Sequence, residues 1–161
     1  MSKTILTIND DIGDLLFRVL FSSIFIGLGV EHIFSDHLIQ TLIPAWMPHK
    51  RLMSIFCGSW LLIWGCFIMV GWRIRYAAVA LGFFLAIVTV VIHLPGILTT
   101  PEGIPPEYIG FWVILQRSNL AKNLCLLGVC FHLLNHSVGI YSLEIHLARK
   151  RGKGYPSPTI E

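Results

Sequence analysis

The chain is 161 residues long, 55% hydrophobic and only 13% charged, with a mean hydropathy of +0.72. A soluble domain carries about 25% charged residues, so the composition excludes that class and predicts an integral membrane protein. The net charge of +3 is small, and no basic stripe on a soluble surface exists to serve nucleic acid.

Residues 1–14 form a polar lead that includes Asp10, Asp11 and Asp14. Acids stand where a signal peptide carries its basic region, and no small-residue cleavage site follows, so the first apolar run is expected in the mature protein. The first helix is expected at 15–34, capped by Asp11 or Asp14. Arg18 lies close enough to the interface to snorkel. On helical spacing Arg18 and His32 share a face with Ser22, Phe25 and Gly29, and Glu31 lies about 100° away.

Residues 35–51 form a polar loop in which Pro44, Trp46 and Pro48 predict a rigid turn at the interface. The second helix is expected at 52–70, with Ser54, Gly58, Leu61 and Gly65 as its small-residue face. A link of residues 71–75 makes it a tight hairpin with the third helix, expected at 76–94. From Tyr76 to His93 no charge appears before the histidine, and the run can cross a hydrocarbon core of about 30 Å. Ala78, Gly82, Ala86, Thr89 and His93 form a stripe on which helices approach closely. Gly82→Leu is therefore expected to cost more than Leu81→Ala on the neighbouring face. Pro95 and Gly96 are expected to stop the helix.

Residues 95–119 read as the longest loop. Its apolar centre, 109–115, is too short to span and is expected on the bilayer surface or folded over the bundle mouth, with Trp112 as cover. The fourth helix is expected at 120–140, with Ala121, Cys125, Gly128, His132, Asn135 and Gly139 on its small and polar face. Residues 142–161 form a basic tail ending in a disordered Pro-Ser-Pro segment. The cysteines Cys57, Cys66, Cys125 and Cys130 lie in apolar runs without C-x-x-C spacing, which suits inert space-fillers.

The expected fold is all-α: an integral membrane four-helix bundle, up-down-up-down. Lys3, Arg73, Arg75, Arg149, Lys150, Arg151 and Lys153 fall on one side, against Lys50, Arg51, Arg117 and Lys122 on the other. That excess puts both termini in the cytoplasm, and in a bacterial inner membrane the longer loops face the periplasm.

Several short motifs now line up. They are Leu15-Leu16-Phe17-Arg18, the basic turn and alanines of Gly71 to Ala78, Val91-Ile92-His93, and Leu120-Ala121-Lys122-Asn123-Leu124. On these, over about Leu15 to Leu134, the chain resembles the DoxX-like family of small four-helix bacterial membrane proteins. Many members carry a glutamate near the Gly58–Leu62 region, where this chain has none. The resemblance implies the fold, and through some relatives a link to quinone-dependent oxidation of sulfur compounds.

Two polar tiers are expected inside the bundle, where ionisable groups are costly and mark candidate sites. The outer tier holds Glu31, His32, His93, Asn119, Lys122 and Asn123. Histidine, lysine and asparagine donate hydrogen bonds to quinone carbonyls, and a carboxylate or imidazole carries the accompanying proton. The same groups also suit an interfacial network paired with each other, water and lipid phosphates. The inner tier holds Arg18, Ser22, His132, Asn135 and His136. His132 and His136 lack the facing histidine a haem would need, so His132 is expected against Arg18 or Asn135 and His136 at the headgroups. No metal set is expected. Two functions follow: a membrane subunit of a quinone-linked redox system with a protein partner, or a non-catalytic assembly protein docking a partner through its periplasmic loops.

Overall fold

The structure, a computed structural model, describes residues 8–34, 43, 47–100 and 104–152. The turn expected around Pro44 and Trp46 and the end expected to be disordered both lie outside the described residues.

Asn9 starts α1 (Asp10–Phe34). Its Oδ1 accepts from the Asp11 amide at 3.0 Å and the Ile12 amide at 3.4 Å, and two acids follow in the positive first turn. The cap is therefore Asn9, not Asp11 or Asp14. Both aspartates are left free to bind elsewhere. The expected face is the buried one: Arg18, Ser22, Phe25 and Gly29 are all buried, with Asp14 and Phe21.

That face packs along α2 (Lys50–Val70), whose buried residues include Ser54, Gly58, Leu61 and Gly65. The helices meet backbone to backbone. A Cβ on Gly29 would lie 2.9 Å from the Gly58 carbonyl oxygen, and one on Gly58 would lie 2.8 Å from the Gly29 oxygen. Only glycine permits that crossing. Gly71 closes α2 in the left-handed region at φ 70, and the turn leads into α3 (Ile74–Val88).

The third helix is the centre of the core. Ala77, Ala78, Leu81 and Leu85 are buried, and on the α2 side the Trp60 indole donates to the Ala80 carbonyl at 3.2 Å. Leu81 is 0% exposed. A Cβ on Gly82 would make ordinary contacts of 3.4 Å to Leu127 and 3.5 Å to Cys130. Ala78 and Gly82 of the small stripe are buried, as expected, and Leu81 beside them is buried as well.

Pro95 and Gly96 do not end this helix. It passes through a π turn (Thr89–His93) into α4 (Leu94–Leu98), and the Leu94 amide bonds to the Thr89 carbonyl, five residues back. Pro95 has no N–H and crowds the carbonyl a turn earlier, so a wider turn ahead of it resolves the conflict.

A 3-10 turn (Pro106–Tyr108) opens α5 (Ile109–Leu133). The expected helix at 120–140 begins eleven residues earlier and ends before Leu134. The apolar stretch 109–115 is its first part, not a surface loop. Residues 116–119 are polar yet helix-compatible, with Gln116 buried and Arg117 and Ser118 exposed, so no break occurs. Gln116, Asn123 and Cys130, seven apart, form the buried face towards α3. Within the expected tail lies a helix, α6 (Leu143–Lys150), capped by the Ser142 hydroxyl, which accepts from the Ile145 amide at 3.3 Å.

The described residues are all-α, and three helical stretches are long and apolar enough to cross a membrane: Asp10–Phe34, Lys50–Val70 and Ile74–Leu98.

Candidate functional site

Two polar clusters sit at opposite ends of the helices. The first gathers the start of α1, the end of α2 and residues 136–144. Arg18, 0% exposed, donates through Nε to Asp14 at 2.9 Å, and through its two terminal nitrogens to the Met69 and Tyr141 carbonyls at 2.8 and 3.2 Å. Arg18 does not snorkel. The Met69 carbonyl, in the last turn of α2, and the Tyr141 carbonyl, in the turn before residue 142, draw its guanidinium inward.

Asp14 is equally engaged. It accepts from His136 Nε2 at 2.7 Å and from the Gly139 amide at 3.0 Å. Asp11 accepts from the Ile140 amide at 2.8 Å. The Glu144 amide donates to the Gly71 carbonyl, and its carboxylate accepts from the Arg73 amide. Every strong group here has a partner. The cluster is a clamp that fastens residues 136–144 onto the hairpin.

The expected inner tier is only partly assembled. Arg18 and His136 belong to the clamp, with Asp14 as the residue that sequence reasoning missed. His136 is bound to Asp14, not left at the headgroups. His132 and Asn135 are exposed, and His132 touches the group only through a ring contact with His136, centroids 6.0 Å apart.

The second cluster lies along the seam of the third helix and α5. These run antiparallel, so His93 meets Gln116, Thr89 meets Asn123, and Gly82 meets Leu127 and Cys130. His93 Nδ1 lies 2.8 Å from Gln116 Oε1. An amide oxygen only accepts, so Nδ1 carries the proton and Nε2 presents a lone pair. Nε2 makes no hydrogen bond among the described residues, and His93 is half-buried.

Gly96 makes this pairing possible, since a Cβ there would come within 2.9 Å of Gln116 Cδ. Trp112 lies beside it, donating to the Gly96 carbonyl at 2.9 Å. Its expected place over the mouth is corrected: it is a packed residue of α5. The Asn123 side chain donates to Thr89 at 3.1 Å. Lys122 donates to Asn119 Oδ1 at 3.1 Å and stands near enough for its charge to act on His93.

The structure thus brings together His93, Asn119, Lys122 and Asn123 and adds Gln116 and Thr89. Glu31 and His32 are not joined to them by any hydrogen bond or ion pair among the described residues. His32 meets the Ser54 hydroxyl of α2, Nδ1 to oxygen 3.3 Å, and Glu31 is exposed. Gln116 carried a readable signal, its seven-residue spacing to Asn123 and Cys130. The π turn that aims His93 carried none. Among the described residues no group of three or more His, Cys, Asp or Glu converges as a metal set.

The DoxX family model matches residues 13–94, just over half of the chain. The chain belongs to the DoxX family. In this DoxX protein the match spans α1 to the start of α4, so the clamp's Asp14 and Arg18 and the seam's His93 fall inside it. Helix α5, with Gln116, Lys122 and Asn123, falls outside it, so the match is shorter than the resemblance over Leu15 to Leu134. No curated protein and no solved structure matches the chain.

Proposed function

We propose that this DoxX protein is the quinone-binding membrane subunit of a redox system, with the headgroup at the outer end of the α3–α5 seam. One observation carries the reading: Gln116 fixes the His93 ring through Nδ1, and Nε2 makes no hydrogen bond among the described residues. A bound quinone supplies reversible uptake of electrons and protons. The chain's own residues do the rest. Lys122 Nζ and the Asn119 amide would donate to the carbonyl oxygens of the quinone, and once the partner's electrons and two protons have been taken up, a hydroxyl of the hydroquinone would donate a hydrogen bond to the His93 Nε2 lone pair. Gln116 holds the ring in the tautomer that leaves Nε2 free.

The electron donor is a partner protein in this reading. The π turn adds support, because such turns recur at functional sites and here one aims the central side chain.

The topology that goes with it has four crossings, α5 being the fourth, in a bacterial inner membrane. At about 1.5 Å per residue, a helix of the length of Ile109–Leu133 reaches across a bilayer core. The contacts among Asp14, Gly71 and residues 139–144 support the same count, since they bring the start of α1, the 71–75 turn and the C-terminal segment to one end. The excess of basic residues puts that end in the cytoplasm. A reporter fused after Glu161 and active only in the periplasm would contradict this orientation.

The binding test titrates a short-tailed benzohydroquinone, whose hydroxyl can donate to His93 Nε2, into purified protein in detergent under reducing conditions. His93→Leu is expected to weaken binding about tenfold, the worth of one hydrogen bond to a desolvated group, with helicity retained. Gln116→Leu should weaken it less, by freeing the ring. Unchanged binding in folded His93→Leu would remove the site. No binding by the wild type would favour the other reading, a non-catalytic assembly protein docking through its loops.

A further inference from the structure

The clamp end of the molecule carries a surface that neither the clamp nor the seam uses. Helix α6 is fixed against the 71–75 turn. The Glu144 amide donates to the Gly71 carbonyl at 3.2 Å, and the Glu144 carboxylate accepts from the Arg73 amide at 3.1 Å. Ile145 is buried on the inner side of the helix. Arg73, Arg75, Arg149, Lys150 and Arg151 are all exposed at this end. We infer that α6 and the 71–75 turn form a platform that lies on the bilayer surface and binds the phosphate groups of anionic phospholipids. The inference is independent of any ligand at His93.

Charge is the first argument. Among the described residues of this end, the exposed acids are Asp10 and Glu144, and Glu144 is held by the Arg73 amide. Asp11 and Asp14 accept from the Ile140 and Gly139 amides. The side chains of Arg75, Arg149, Lys150 and Arg151 make no hydrogen bond or ion pair among the described residues. Arg73 lies over the Trp72 and Tyr76 rings, 5.7 and 5.8 Å from their centroids. Ring faces orient a guanidinium without occupying its N–H donors. Glu144 and Lys150 are about 9 Å apart along the helix, close to one Debye length at physiological salt, so the bases act together on one anionic layer.

Level is the second. Tyr76 and Tyr141, 67% and 55% exposed, flank the turn and the start of α6, and exposed tyrosines beside a span mark the depth of the headgroups. On α6 the positions of Leu143, Leu147 and Lys150 fall on the side opposite Ile145, and Leu143 is exposed. A short apolar ridge beside bases suits a helix that rests in the interface, with the lysine stem along it and the charge at the phosphates. A soluble acidic partner would meet the charges but leave Leu143 and the tyrosines in water.

The test reconstitutes the full chain in phosphatidylcholine vesicles and compares spin-labelled phosphatidylglycerol with spin-labelled phosphatidylcholine at the protein boundary. The wild type should prefer the anionic lipid about fivefold, the worth of about one basic residue near a charged surface, and about 0.5 M salt should lower that preference. Arg149→Gln combined with Lys150→Gln should bring the ratio to within about twofold of unity. Arg75→Gln, on α3 and so independent of whether α6 stays wound, should lower it in the same direction. Arg117→Gln, exposed at the opposite end, should leave it unchanged. A wild-type ratio near one would overturn the inference and leave the surface to an acidic protein partner. So would a ratio that falls as far in Arg117→Gln as in Arg75→Gln, or one that stays at the wild-type value in both platform variants.

Discussion

The two polar clusters use similar residues and differ in one respect, whether their hydrogen-bonding capacity is used up. At the clamp, Arg18 has three partners, Asp14 has three, and the backbone amides of residues 139 and 140 are taken. At the seam, His93 Nδ1 is held by Gln116, while Nε2 makes no hydrogen bond among the described residues. A saturated buried network holds segments in place and resists change. An oriented group with a free lone pair is poised to bind something else. The comparison teaches that charge burial alone does not mark a site here. The most buried ionisable residue, Arg18, belongs to the architecture.

The clamp should break hardest. Arg18→Leu strands Asp14 and leaves the Met69 and Tyr141 carbonyls without their donor, so unfolding in mixed micelles should show a loss of about 3–5 kcal/mol. A loss under 1 kcal/mol would mean that the clamp does not hold the fold.

Next comes the apolar core between the clusters. Leu81→Ala should cost about 2–4 kcal/mol by leaving a cavity, while Gly82→Ala, whose methyl meets only ordinary contacts, should stay within about 0.5 kcal/mol. Equal costs in the same assay would contradict the packing of α3 on α2.

Smaller effects sharpen the seam. His93→Leu leaves the Gln116 amide, 4% exposed, without its partner and should cost about 1–2 kcal/mol. Gly96→Ala should push Gln116 off His93 and weaken quinone binding about as much as Gln116→Leu, by roughly threefold at the scale of one weakened hydrogen bond. Wild-type binding in Gly96→Ala would show that ring orientation is unimportant. Smallest of all, His132→Ala and Asn135→Ala should lie within about 0.5 kcal/mol of wild type, because both side chains are exposed. His136→Ala, which bares Asp14, should cost about 1–3 kcal/mol.

Periodicity made the helices legible. The faces Arg18-Ser22-Phe25-Gly29 and Ser54-Gly58-Leu61-Gly65 follow from spacing alone, and both are buried. The errors came where polarity was read as loop. Gln116 to Asn119 look like a loop end, but a residue can be polar and buried when a partner helix supplies its hydrogen bond, as His93 does for Gln116. Asn9 ahead of two acids was a readable cap signature, and it displaced Asp11 and Asp14 from that role.

The seam itself was half legible. His93, Asn119, Lys122 and Asn123 follow from the helix ends, since those ends meet at one level. Glu31 and His32 reach a similar level, yet their helix packs on α2 through Gly29 and Gly58, so His32 meets Ser54 and Glu31 is left exposed. Which neighbour a helix chooses is not written in its own periodicity. Nor is a π turn, which depends on how the helix resolves Pro95.

The central claim is that the open nitrogen of His93, and not the saturated clamp, is where this protein meets its ligand. Nitrogen-15 NMR of histidine-labelled protein, with His93 and His136 assigned by substitution, tests it most directly. On adding a short-tailed benzohydroquinone, the account predicts a shift of the His93 Nε2 resonance while His136 stays unmoved. A shift at His136, or none at His93 under conditions where hydroquinone binds, would contradict it.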